Sequence, residues 1–150
     1  MKHKKSFRTD LIYFGCANKH EVIFDESDID FNQFSSNPLL GELNHPNRAE
    51  IDLTRVSHII ENIKVEHDIL YGDIKVLETS HGHTLDKLLD SNSVVFRPRV
   101  TIESTFDGTI TFYKIHTFDA VDKREDCFEA YRFRKKKILK IINKLKNRNL

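Results

Sequence analysis

Gly41-Glu42-Leu43-Asn44-His45-Pro46-Asn47-Arg48-Ala49, running on to Val56-Ser57-His58, is the stretch on which the reading of this chain turns. It sets one histidine in a short apolar and acidic context and fixes the backbone directly after it. Pro46 locks its own φ and steers His45 toward an extended conformation, because a proline ring crowds the residue before it. An imidazole held at the end of an extended segment can take up a proton near neutral pH, which makes His45 a candidate general base. A base is useful only beside a nucleophile, so the rest of the chain is read for one.

At 150 residues the chain is one domain by size, with room for a single core. Its 39% hydrophobic and 31% charged residues suit a soluble globular protein with polar tails. No apolar run approaches membrane-spanning length, and no secretory apolar region follows Met1-Lys2-His3-Lys4-Lys5. Cys16 and Cys127 form no Cys-x-x-Cys, and two buried thiols in a reducing cytosol are preferred to a disulfide. The net charge of +1 is unevenly spread: residues 132–150 carry nine Lys or Arg and no acid, so the other 131 residues carry a net −8. Like-charge blocks of this kind serve as interaction tails. The division expected is a body over 1–130 and a basic amphipathic helix or arm over 131–150.

Thr9–Cys16 and Glu21–Phe24 read as strands, and the acidic, Ser- and Asn-rich stretch Asp25–Pro38 as a loop. Ile51–Ile63 fits helix or strand by pattern, and its β-branched content favours a strand from near Val56. Asp68–Glu78 alternates cleanly, with Leu70, Gly72, Ile74 and Val76 on one face. Leu85, Leu88 and Leu89 predict a short helix over Thr84–Ser91. Strands follow over Ser93–Ser104 and Thr109–Phe118, with Pro98 marking an edge or bulge and Asp107-Gly108 a hairpin turn. Phe128–Asn147 is the longest helix, with Ile138, Ile141, Ile142 and Leu145 along one stripe. It either packs on the domain or leaves it as an arm.

The Gly-Glu-Leu-Asn-His-Pro block resembles the motif of the prohead core protein proteases of T4-type tailed phages, serine peptidases that mature the capsid. The resemblance covers roughly Leu40 to Ala130. Ile69-Leu70-Tyr71-Gly72, the strand Ile74–Thr79 with Gly82, the helix Lys87–Asn92 and Phe118-Asp119-Ala120-Val121 resemble that family's later elements. It implies a herpesvirus-protease-like α+β fold: a mostly antiparallel, partly closed β-barrel with few helices and here a basic C-terminal helix. It implies catalysis by His45 with a serine partner, no cofactor, and phage scaffold or capsid proteins as partners, inside a prohead or virion in the host cytoplasm.

At the nucleophile the chain departs from the family pattern of Ser-Ser-Arg-Gly. It reads Val94-Val95-Phe96-Arg97-Pro98-Arg99-Val100. With the motif arginine on Arg99, Arg97 and Pro98 stand where the serines belong, and neither can attack a carbonyl. A second register likens Ser93-Val94-Val95-Phe96-Arg97 to the serine strand of other prohead proteases and of the herpesvirus assemblins, which use Ser-His-His. That register offers Ser93, His45 and His116 as a triad, with Arg97 or Arg99 steadying oxyanion donors. Ser93 also follows Asp90-Ser91-Asn92 and reads equally as a polar turn residue. His45 reads as a base or as a turn residue satisfied by a backbone carbonyl.

The remaining signals are weaker. His67 with His81-Gly82-His83 lacks further ligands at metal-site spacing, and Asp25, Glu26, Asp28 and Asp30 lack the glycine and closing glutamate of an EF-hand loop. No metal is expected. The run Arg132–Arg148 could contact phosphates without base specificity, and Tyr131 and Phe133 could stack on bases. An acidic protein partner satisfies the same charges and is preferred, because the acidic body repels nucleic acid. An oligomer is compatible with the sequence. The readings are therefore a family member without proteolytic activity that serves head assembly, an active serine endopeptidase using Ser93 and His45, or a nucleic-acid-associated protein.

Overall fold

The computed structural model describes residues 3–20, 22–34, 37–104 and 110–148. Among them the elements in chain order are β1 (His3–Tyr13), β2 (Leu39–Glu42), β3 (Val56–Glu66), β4 (Ile69–Leu77), α1 (Ser80–Asp90), β5 (Val94–Ser104), β6 (Ile110–Asp122) and α2 (Glu129–Arg148). Every strand pairing is antiparallel, within a four-stranded sheet ordered β1-β4-β3-β2 and a two-stranded sheet β5-β6. The fold is thus a mixed one built on antiparallel sheets, as expected. A continuously hydrogen-bonded barrel is not found among the described residues. β2 stops at Glu42, and Asn44, at φ 64°, turns the chain away. Among the described residues the sheets meet through a single parallel bridge, Leu43 with Ala120, rather than a ladder.

β4 buries Leu70, Gly72, Ile74 and Val76 on one face, as its period of two dictates. It joins β3 through His67 and Asp68, whose φ of 51° and 63° give the twist that a two-residue hairpin turn requires. Asn62, at φ 53°, sits in the bulge between Glu61 and Lys64, a left-handed position that asparagine tolerates. Leu11, Ile12, Ile60, Leu70, Ile74, Leu85, Phe118 and Phe128 are fully buried and join both sheets, α1 and the foot of α2 in one core.

Several boundaries differ from the sequence reading. The strand predicted over 21–24 shrinks to one bridge, Ala17 with Ile23. The Asn18 side chain accepts the N–H groups of His20 and Val22 at 2.8 and 3.0 Å, a local turn that replaces a ladder. The loop over 25–38 contains 3-10 turns at Glu26–Asp28 and Phe31–Phe34. β1 begins well before Thr9 and β6 continues past Phe118 to Asp122. The Asp107-Gly108 turn lies outside the described residues. No helix among them is long and apolar enough to cross a membrane.

α1 starts at Ser80 rather than Thr84 because Thr79 caps it: its Oγ1 accepts the Gly82 N–H at 2.9 Å and donates to Val56 O at 2.7 Å. Glycine is needed at 82, where a Cβ would fall 1.8 Å from Leu77 O. Thr79→Ala removes both bonds, and we expect a loss of about 1–2 kcal/mol in urea unfolding; an unchanged midpoint would contradict the cap's role.

Candidate functional site

The motif segment folds by serving two neighbours at once. Gly41 lets the backbone pass the His58 ring, since a Cβ there would lie 2.1 Å from His58 Nε2 and 2.5 Å from Phe118 O. Glu42 is fully buried and turns its carboxylate to arginines: Oε2 accepts Arg99 Nη2 at 2.9 Å, and Oε1 accepts Arg48 Nη2 at 2.5 Å. Leu43 bridges to Ala120, and the Asn44 N–H donates to Ala120 O at 2.6 Å. The Asn44 side chain accepts the His45 N–H at 3.0 Å, which stabilises the left-handed bend.

That bend delivers His45 to Asp119 on β6, with Nδ1 at 2.9 Å from Oδ2. Asp119 is fully buried. Arg99 holds it bidentately, Nε to Oδ2 at 2.8 Å and Nη2 to Oδ1 at 2.7 Å, and the Glu42 N–H donates to Oδ1 at 3.1 Å. Burial opposes the charged carboxylate, but the bonds from His45, Arg99 and Glu42 outweigh it and hold Asp119 below the usual carboxylate range. Arg99 likewise resists burial through Asp119 and Glu42 and stays charged. An ionised Asp119 has no proton to give, so Nδ1 carries the hydrogen of this bond. Nε2 has no hydrogen bond among the described residues, on a side chain that is 40% exposed. A histidine held through Nδ1 by a buried carboxylate has the geometry that nucleophilic triads use to orient a base.

A cavity lies beside it. His45, Pro46, Pro98, Val100, Phe24 and Cys127 are among the residues lining a space of about 630 Å³, and no serine or threonine is among the described residues that line it. Burial pushes the Cys127 thiol up to about 11, far from a thiolate at neutral pH. Ser93 lines a different cavity with Asp122, Arg124 and Arg132. Its hydroxyl donates to Leu88 O at 3.3 Å and bonds the Ser91 hydroxyl, where the chain leaves α1 for β5. His116 Nε2 bonds Thr101 Oγ1 at 2.6 Å across the β5-β6 hairpin. Its pKa is lowered by burial and by Lys114 and Arg99. Neither residue has a hydrogen bond to His45 or Asp119 among the described residues.

Arg97 and Arg99 have separate duties. Arg97 binds Asp126 bidentately at 2.7 and 3.0 Å and donates to Asp10 O at 3.0 Å, tying β5 to β1 and to the foot of α2. The guanidinium also faces the Tyr13 and Phe128 rings. His58, quoted in the opening run, is fully buried. Its Nε2 donates to Phe118 O at 2.9 Å, and the Ser57 hydroxyl donates to Nδ1 at 2.7 Å. Burial drops its pKa to about 4, so it is a neutral core histidine. No group of three His, Cys, Asp or Glu able to hold a metal occurs among the described residues. Sequence reading named His45 and Arg99 but not Glu42 or Asp119. The available signal was a single acid in the apolar run Phe118-Asp119-Ala120-Val121.

Two outcomes follow from these environments. Asp119→Asn leaves Arg99 buried with half its counter-charge, and we expect about 3 kcal/mol less stability in urea; a loss within 0.5 kcal/mol, roughly the surface-substitution range, would refute the network's structural role. His58 has a folded pKa below the ordinary 6.5, so the unfolded chain binds the extra proton. Its contribution is complete above pH 6.5 and fades as pH falls toward 4, by about 3 kcal/mol. In His58→Gln that part of the decline should vanish from stability measured against pH.

The sequence model of the family described as prohead core protein serine protease matches residues 22–104. Among solved structures, that of the bacteriophage T4 capsid assembly protease, gp21, superposes with a TM-score of 0.63 at 21% identity, over 77% of this chain and 80% of that one. A search of curated proteins finds no match. The family match takes in the bend at Asn44, His45 and the β5 segment through Arg99, so this chain belongs to the prohead core protein serine protease family.

Proposed function

We propose that this protein is a non-cleaving member of its family, acting in phage head assembly as a structural or scaffold-binding component. The observation that carries this reading is the cavity beside His45. The His45–Asp119–Arg99 arrangement is assembled, yet Pro98 stands at the strand position that the motif arginine assigns to the nucleophile. Proline has neither a side-chain heteroatom nor a backbone N–H. In this reading Asp119 orients His45, Arg99 positions Asp119, and His45 has no hydroxyl to deprotonate. Arg97 serves the fold. Ser93 and His116 stay outside the chemistry.

The family supplies the setting: action on scaffold or capsid proteins, within the prohead in the host cell. The resemblance to the T4 capsid assembly protease supports the same setting through its fold. Residues 1–130 would form the protease-like body and 131–150 the basic extension.

A fluorophosphonate probe tests the reading. The native chain should remain unlabelled while Pro98→Ser gains labelling, because the substitution adds a hydroxyl to the lining of the cavity that His45 shares. In the Pro98→Ser background, Asp119→Asn should cut the labelling rate by about 10³–10⁴-fold. Labelling of the native chain that disappears in Ser93→Ala would replace this reading with that of an active endopeptidase.

A further inference from the structure

Helix α2 divides into an anchored foot and an uncovered shaft. Phe128, just before it, is fully buried, and Arg132 is 6% exposed with its Nε 3.2 Å from Asp126 Oδ2. From Lys137 on, every residue whose burial is described is exposed. That shaft, residues 137–148, is about 18 Å long. It presents Ile138, Ile141, Ile142 and Leu145, which are 45, 57, 40 and 53% exposed, at the i, i+3, i+4, i+7 spacing of one helix face. Aliphatic residues so spaced are what a second helix packs against.

Charge selects the occupant. Residues 132–150 hold nine Lys or Arg and no acid. Two such helices side by side would repel along their length, so the same helix of a second copy is disfavoured. The body of a second copy is acidic, and among its described residues the other large exposed hydrophobics are only Ile23 and Leu53, which form no helix-like stripe. A phosphate backbone would satisfy the lysines and leave the isoleucines in water. An interfacial lipid-binding helix carries Trp, Phe and Leu on its apolar face, and of these the stripe has Leu145 alone.

We infer that the exposed stripe of α2 is a docking site for an acidic amphipathic helix of another protein, its apolar face on Ile138, Ile141, Ile142 and Leu145 and its acids flanked by the lysines. This holds whether or not the His45 cavity cleaves peptide bonds.

The test uses the full chain and two labelled 20-residue probe helices, with Leu and Ile at alternating three- and four-residue spacing and either Glu or Lys on the flanks. Anisotropy should show the Glu peptide binding at least about tenfold tighter than the Lys peptide. Ile141→Ser with Leu145→Ser should weaken the Glu peptide about tenfold or more. A variant with Lys137→Glu, Lys140→Glu and Lys144→Glu should reverse the preference, which also shows that the helix remains formed. Equal binding of the two peptides, or no effect of the serine substitutions, would overturn the inference. So would tighter binding to duplex DNA or to phosphatidylglycerol vesicles at the same salt, or self-association of the native chain that the serine substitutions abolish.

Discussion

A single buried carboxylate, Asp119, bears most of the organisation of this molecule. It sits on the two-stranded sheet yet takes its hydrogen bonds from three different segments: His45 after the bend, Arg99 on β5, and the N–H of Glu42 on β2. Burying such a charge is costly unless every lone pair is used, and here both oxygens are. Among the described residues the two sheets share one backbone bridge, Leu43 with Ala120, so this polar cluster adds to the common core in fixing their relative placement. Glu42 extends it outward, spreading the charge of Arg99 over two acids and drawing in Arg48.

Arg97 builds a second buried hub two residues earlier on the same strand, and the two differ in an instructive way. The partners of Arg97 are Asp126, Asp10 and two aromatic rings. Against its burial, the Asp10 carboxyl is held below its usual range, chiefly by Arg97, and the Tyr13 hydroxyl is held above its normal range by burial and by Asp10. The hub of Arg99 ends in an imidazole with a free nitrogen beside a cavity. Both arginines lie in Val94–Val100, where the family motif leads one to look for serines. Their burial explains why charged residues persist in a strand that otherwise reads as core.

Much of the fold was legible because it rests on local periodicity. The alternation of β4, the leucine spacing of α1 and the stripe of α2 are visible in the sequence alone, and the resemblance carried by Gly41–Pro46 placed the chain in its family. What was not legible depends on contacts between distant residues. Asp119 looked like part of a late strand, and nothing nearby announced that its partners are 74 and 20 residues away. His116 drew attention as a second histidine, but it is the residue bulged out of the β5-β6 register between Ile115 and Thr117, and its ring bonds Thr101. The start of α1 was misplaced because the leucine stripe begins only at Leu85, while the first turn is set by the Thr79 cap.

The persistence of the motif is therefore weak ground for inferring catalysis. Gly41 is demanded by the His58 ring, Glu42 by Arg99, Leu43 by the bridge to Ala120 and Asn44 by a left-handed bend. Four of its six residues have structural duties that would remain if the chemistry were lost. Even His45 contributes a hydrogen bond that Asp119 would miss. Pro98 has no such hold on the fold: it lines a cavity, on a strand that among the described residues pairs with β6 alone, where a missing N–H is tolerated. A position so placed can change without disturbing the surrounding network or the sequence signature that goes with it.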